Sequence, residues 1–186
     1  MKSIAEFQQL IKESEKIHIG GKSSESIKNI DMRTYFGVVE YYPEELVITL
    51  KAGTSIAQVE AILSENNQAF TFYTDNPEQT IGALYASSGA DFADSILGVQ
   101  IINGKGELMN FGGQVMKNVA GYDVSRLLVG SKGRLALITQ MSFKILPTAA
   151  ARKHQKKPRP QQSTSELHVS LTRKLKKIFD PYGVFV

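Results

Sequence analysis

The sequence predicts an α+β domain, because short strands and amphipathic helices alternate along the chain without an internal repeat. The chain has 186 residues, of which 42% are hydrophobic, enough for one core of ordinary size but too few for two full domains. Three glycine- and serine-rich loops each follow a candidate strand. These observations together predict one compact domain followed by a basic tail.

The first half of the chain predicts helices and strands from hydrophobic periodicity. Ser55 and Gln58 have the spacing of a capping box, which predicts the start of a helix. Pro43 and the two glutamates after it separate two strands of a hairpin. The expected elements are a helix over 4–11, strands at 16–19, 37–41 and 46–51, a helix over 56–63 and a strand at 69–74.

The second half begins with a polar segment, residues 75–94, which is expected to be loop with one short helix. Asn103-Gly104 predicts a hairpin turn, and Asp123 is a candidate helix cap. The expected elements are a helix over 81–86, strands at 96–102 and 107–111, a helix over 124–129 and a strand over 135–145. The domain is therefore expected over 1–147, a basic linker over 148–165, and a C-terminal helix that packs back within 166–186.

The residue types exclude several kinds of chemistry. The chain has no cysteine, which rules out disulfides, thiolate metal sites and a cysteinyl-flavin bond. The three histidines, His18, His154 and His168, lack the spacing of a helical zinc pair, so no metal site is expected. Redox activity would need an organic cofactor.

The net charge of +4 is unevenly distributed. Residues 1–147 carry 13 Lys and Arg against 16 Asp and Glu, whereas residues 148–186 carry 9 against 2. The body of the chain therefore predicts no nucleic-acid partner. No apolar run approaches the ~20 residues that cross a bilayer, so a cytoplasmic protein is expected. The basic tail is either a solvated linker or a contact for an acidic partner or a membrane surface.

The first glycine loop is a candidate phosphate site, since glycine lets backbone N–H groups approach a ligand closely. By itself the segment Gly20-Gly21-Lys22-Ser23-Ser24 is more typical of a plain surface turn. It matches neither the Walker pattern nor the GxGxxG fingerprint, which disfavours a P-loop nucleotidase and a Rossmann fold.

The order of the loops resembles a known family. The most specific segment is residues 111–131, FGGQVMKNVAGYDVSRLLVGS. Supporting segments are Glu45 to Thr49, Ala52-Gly53-Thr54, Thr80-Ile81-Gly82, Leu97-Gly98-Val99, Leu137-Ile138-Thr139 and Phe179-Asp180-Pro181. They resemble the FAD-binding domain of the p-cresol methylhydroxylase (PCMH) type, found also in vanillyl-alcohol oxidase, D-lactate dehydrogenases and glycolate oxidase. The resemblance is most specific to the FAD-binding subunit of bacterial glycolate oxidase.

This resemblance implies a PCMH-type fold with FAD held between two α/β subdomains. The implied cofactor contacts are Gly20, Gly21, Lys22, Ser23 and Ser24 on one side of the diphosphate, Thr80, Ile81, Gly82, Ala83, Ser87, Ser88 and Gly89 on the other, Gly121, Tyr122 and Asp123 near the flavin or its ribityl chain, and the backbone groups of Leu137, Ile138 and Thr139 at adenine or flavin. Lys117 is left open between a cofactor contact and an ordinary surface lysine. Asp123 is also explained as a helix cap alone.

Departures from the family pattern are expected to weaken FAD binding. Ala83 stands where the family usually has a second glycine, residues 90–95 lack the usual arginine, and Lys132, Arg134 and Ala136 replace acidic or small residues. Lys22 stands where relatives often attach the flavin to histidine, so non-covalent FAD is expected. The substrate-binding cap domain is expected to be absent, because only the basic linker joins residue 147 to the final helix.

Two functional hypotheses follow from the resemblance. The first is an FAD-carrying subunit of a glycolate oxidase-like complex, working with a catalytic flavin subunit and an iron–sulfur subunit to oxidise glycolate or a related 2-hydroxy acid. The second is a structural subunit that has lost FAD. A self-sufficient small oxidase is a third, but no residue is a catalytic candidate for it.

Overall fold

A computed structural model describes residues 2–20, 27–114, 123–155 and 166–186, with the backbone alone at 90, 91 and 166–169. The helices are α1 (Ile4–Lys12), α2 (Ile56–Ser64), α3 (Ile81–Ser87), α4 (Ala90–Ala93), α5 (Val124–Leu127), α6 (Thr148–His154) and α7 (Glu166–Phe179). The strands are β1 (Ile17–Ile19), β2 (Lys28–Ile30), β3 (Val38–Tyr42), β4 (Val47–Lys51), β5 (Gln68–Phe70), β6 (Ile96–Ile102), β7 (Leu108–Gly112) and β8 (Leu137–Pro147). Mixed helices and sheets of this kind are the α+β class that the sequence predicts.

The larger sheet is built around β8, its longest strand. Its strand order is β3-β4-β8-β6-β7, and β5 pairs with the end of β8. Every pairing is antiparallel, with Leu50 opposite Met141 and Val99 opposite Met141 on the other side. One face of this sheet packs on the core through residues such as Ile48, Leu50 and Phe143, all fully buried.

The smaller sheet joins the two ends of the described chain. β1 pairs in parallel with β2, and Phe185 forms a parallel bridge with Ile17 on the other side. The Ile17 N–H donates to Val184 O at 2.7 Å, and the Val186 N–H donates to Ile17 O at 3.0 Å. The residues that follow α7 therefore extend the smaller sheet on the side of β1 away from β2.

Local sequence signals explain the element ends. Ser55 and Gln58 form the expected capping box of α2, with each side chain bonded to the other's backbone N–H. At the β6–β7 turn the Asn103 side chain accepts from the N–H groups of Lys105 and Glu107 at 2.9 and 3.0 Å. Gly106 takes a φ of +75° there, which favours glycine. Both signals are local, which is why the sequence reveals them.

The structure differs from the predicted elements in several places. Thr148–His154 is helical instead of linker, because an alanine run with high helix propensity buries Ala151 and packs α6 on β5 and β8. The predicted strand over 69–74 is only β5, since Phe72 leaves the sheet to stack on Phe70 at 4.5 Å. α4 and β2 were not predicted, because each is too short to show periodicity.

α7 packs on the domain through its last turns. Leu175 and Phe179 are buried, and Phe179 meets Phe111 edge-on with ring centroids 5.9 Å apart. Asp180 follows the helix and is fully buried, where it accepts the N–H groups of Val184 and Phe185 at 2.8 and 2.9 Å. Lys176 donates to the same carboxylate at 2.5 Å. These contacts fix the turn after α7, which brings residues 184–186 beside β1.

Candidate functional site

A cleft of about 760 Å³ lies between the smaller sheet, α3 and the start of β8. The described residues that line it are Ile19, Gly20, Asp31, Met32, Arg33, Ala52, Glu78, Gln79, Thr80, Gly82, Ala83, Ala86, Ser87, Lys132, Gly133, Ala136 and Ile138. Its volume is in the range typical of sites for cofactors and other small molecules. The lining also has the usual composition of such a site, an apolar floor with a few polar groups at the rim.

Small residues keep the cleft open. Gly20 lines it with a φ of +87°, and a Cβ built on Gly20 would meet no atom of the described residues within 4 Å. The Gly20 N–H donates to Ile30 O at 2.9 Å, which holds this backbone in place at the end of β1. A ligand can therefore approach the Gly20 backbone closely.

The N–H groups at the start of α3 are already bonded inside the protein. Those of Ile81 and Gly82 donate to Thr54 O and Ala52 O, each at 2.8 Å, and that of Ala83 donates to Thr80 Oγ1 at 3.2 Å. A Cβ on Gly82 would lie 2.8 Å from Ala52 O. Gly82 thus serves the close packing of α3 on the end of β4.

Six residues that the sequence analysis assigns to the cofactor site line this cleft: Gly20, Thr80, Gly82, Ala83, Ser87 and Ile138. Three distant parts of the sequence therefore meet at one surface. Ala83 is exposed on this lining, so its methyl group points into the cleft without filling it.

Other predicted residues lie elsewhere. The side chains of Ile81, Leu137 and Thr139 are fully buried, and Thr139 Oγ1 bonds to Gln100. Ser88 and Gly89 follow α3 outside the lining. Asp123 caps α5 by accepting from the Arg126 N–H at 3.1 Å and pairs with the Arg126 guanidinium at 2.8 Å.

The remaining predicted residues lie outside the described ranges. They are Gly21, Lys22, Ser23 and Ser24 of the first glycine loop, and Lys117, Gly121 and Tyr122 of the long motif.

The sequence analysis missed the charged rim of the cleft. Asp31 and Arg33 follow β2 and form a bidentate pair, with Arg33 Nη2 2.6 Å and Nε 3.0 Å from Asp31 Oδ2. The hydrogen bonds from Arg33 lower the pKa of Asp31 and raise the pKa of Arg33. The Asp31 side chain also caps the following 3-10 turn, and an Asp-x-Arg pattern after a strand is the signal that was available.

The described residues contain no group of three or more His, Asp or Glu that could hold a metal ion. Within the same ranges, no helix is both long enough and apolar enough to span a bilayer.

The geometry defines a class of protein: an α+β domain with a cofactor-sized cleft walled by glycine-containing loops. Comparison with known proteins identifies the class more closely. Residues 15–112 match the FAD binding domain family. The chain belongs to this family, and FAD is the cofactor that the domain binds.

Relatives of known name agree with this assignment. The chain is 41% identical to glycolate oxidase subunit GlcE of Escherichia coli over 67% of its own length and 38% of the relative. It is 27% identical to glycolate oxidase subunit GlcD of Bacillus subtilis over 62% of the chain and 27% of that protein. A D-lactate dehydrogenase of Archaeoglobus fulgidus is 26% identical over 52% of the chain and 24% of the relative. The matched regions therefore span well under half the length of these relatives.

Proposed function

We propose that this chain binds FAD without a covalent bond, as a subunit of a glycolate oxidase-like complex that oxidises glycolate or a related 2-hydroxy acid. One observation carries the proposal. Segments that the family pattern assigns to the cofactor, around Gly20, α3 and Ile138, come together at the cleft although they are far apart in sequence. The similarity to glycolate oxidase subunits supports the choice of substrate class.

The proposed role of the cleft is to bind and orient the cofactor. Bound FAD supplies a two-electron acceptor for the oxidation of a substrate C–H bond. The apolar floor, formed by Ile19, Met32 and Ile138, can exclude water from one face of a planar ring. The Thr80 hydroxyl group can donate to phosphate or ribityl oxygens, whereas the Ser87 hydroxyl group already donates to Ala83 O at 2.8 Å. The first glycine loop and the segment 117–123 are assigned to the same site by the family pattern alone.

Non-covalent binding is supported by the residues at hand. The chain has no cysteine. His18 lies on β1 but is not among the residues that line the cleft. Denaturation should therefore release FAD into solution, and flavin retained on the unfolded chain would contradict this part of the proposal.

Partner subunits are proposed to complete the reaction. Oxidation of a 2-hydroxy acid needs a group that holds its carboxylate and a base in reach of its hydroxyl. No histidine is among the described residues that line the cleft. We therefore assign these tasks to a catalytic flavin subunit. An iron–sulfur subunit is the proposed electron acceptor. The proposed location of the complex is the cytoplasm, with contact to the membrane through its partners.

The alternative, a structural subunit without FAD, rests on Ala83 in place of glycine. It predicts a colourless protein. A matched pair of substitutions tests the cleft directly: Ala83→Leu places a large side chain in the lining, whereas Ala61→Leu adds the same side chain on an exposed position of α2. Leucine is a good helix former, so both variants should fold.

Flavin fluorescence on titration with FAD is the measurement. The unmodified chain and Ala61→Leu should bind FAD alike, and Ala83→Leu should bind at least about tenfold more weakly, the effect of about 1.4 kcal/mol. Unchanged binding by Ala83→Leu would place the cofactor elsewhere. A colourless protein that does not bind added FAD would establish the structural alternative.

A further inference from the structure

Two of the four charged residues described in the cleft lining are paired with each other, whereas Glu78 and Lys132 form no ion pair with a described residue. Arg33 and Lys132 are the cations among its described lining residues, and Asp31 and Glu78 are the anions. Arg33 is committed to Asp31 through hydrogen bonds of 2.6 to 3.0 Å. Lys132 forms no ion pair with any described residue. Among the described residues of the cleft, the Lys132 ammonium group is therefore the cation that is available to a ligand.

The backbone holds Lys132 in a conformation that lysine does not favour. Its φ is +54°, and Gly130 and Gly133 on either side also have positive φ values. The Lys132 N–H donates to Ala86 O and the Gly130 N–H donates to Tyr85 O, each at 2.9 Å. Glycine would adopt this conformation more easily. The hydrogen bonds fix Lys132 beside the last turn of α3, where Ala86 and Ser87 also line the cleft.

A diphosphate in this cleft needs a cation. The N–H groups of Ile81, Gly82 and Ala83, which could have faced it, are bonded within the protein. We infer that the Lys132 ammonium group binds the diphosphate of FAD, with the Thr80 hydroxyl group as a further donor. Lysine suits this task as a mobile point charge that attracts phosphate oxygens. The inference rests on the proposed function, since it takes the cleft to be the FAD site.

The test compares Lys132→Gln with Lys132→Arg and with a matched control, Lys105→Gln. Lys105 is exposed at the β6–β7 turn, away from the cleft. Lys132→Gln should weaken FAD binding by about tenfold or more at low ionic strength, because a charge-assisted hydrogen bond is lost. Lys132→Arg should retain most of the affinity, and Lys105→Gln all of it. Circular dichroism should be unchanged, since Lys132 is exposed.

Competition experiments locate the contact on the cofactor. ADP should displace FAD from the unmodified chain better than adenosine does, and Lys132→Gln should lose this advantage. The visible absorption spectrum of FAD at saturation should be the same in both proteins.

Several results would overturn the inference. If Lys132→Gln binds FAD as tightly as the unmodified chain, the inference is wrong and the proposed function stands. A shifted flavin spectrum with the advantage of ADP intact would mean that Lys132 faces the isoalloxazine ring instead. Failure of the unmodified chain to bind FAD would refute the proposed function, and the inference with it.

Discussion

Replacing Asp180 by alanine should lower the free energy of unfolding by about 2–6 kcal/mol, because two buried backbone N–H groups lose their acceptor. Asp180 is fully buried, and its two oxygens accept the N–H groups of Val184 and Phe185. Alanine leaves both N–H groups without an acceptor, at a cost of about 1–3 kcal/mol each. Lys176 is 30% exposed and keeps Arg134 O and Phe185 O as acceptors, so the loss of its ion pair with Asp180 adds little to the effect.

Urea denaturation followed by far-ultraviolet circular dichroism measures the effect. Asp180→Asn should be intermediate, because asparagine keeps one acceptor oxygen for one of the two N–H groups. Asp94→Ala is the control, since Asp94 forms an exposed pair with Arg126 at 3.0 Å and should contribute at most about 1 kcal/mol. If Asp180→Ala and Asp94→Ala are equally stable, the turn after α7 does not depend on this carboxylate and the reasoning fails.

Two further outcomes are expected. Burial raises the pKa of Tyr85, whose hydroxyl donates to Ser125 O; Tyr85→Phe should lower the free energy of unfolding by about 1 kcal/mol at neutral pH. Below pH ~10 tyrosine is neutral in the folded and the unfolded chain, and the contribution of Tyr85 to stability is complete. Above that pH the unfolded chain ionises first, which lowers the free energy of unfolding. The unmodified chain should therefore lose more stability than Tyr85→Phe on alkaline titration. The FAD-loaded chain alone should not oxidise glycolate or lactate with a dye acceptor, because no histidine is among the described residues that line the cleft. Robust turnover by the chain alone would refute the need for partners.

The sequence predicted those elements whose signals are local. The capping box at Ser55 and the Asn103 turn involve residues within four positions of each other, and both lie where they were expected. α6 was missed because the charged residues of its last turn resemble the linker that follows, whereas its burial on β5 depends on distant residues. Local composition does not contain that contact.

The candidate site shows the same division. Leu137, Ile138 and Thr139 were assigned together through their backbone groups. Neighbouring side chains of a strand point to opposite faces, and of these three residues Ile138 lines the cleft. Lys132 was expected to weaken cofactor binding, since it departs from the family pattern. Its position beside α3 follows from a hydrogen bond to Ala86, which the sequence does not reveal.

The pairing of Phe185 with Ile17 fixes the residues after α7 independently of the length of chain between α6 and α7. α6 is anchored on β5 and β8 before this length of chain, and the residues after α7 are anchored on β1 beyond it. Extra residues between two anchored points cost only loop entropy, which rises by about 0.6 kcal/mol for each doubling of the loop. An insertion between α6 and α7 would leave both anchors in place, and with them the cleft between the smaller sheet and α3. One FAD-binding unit could in this way serve subunits of very different size.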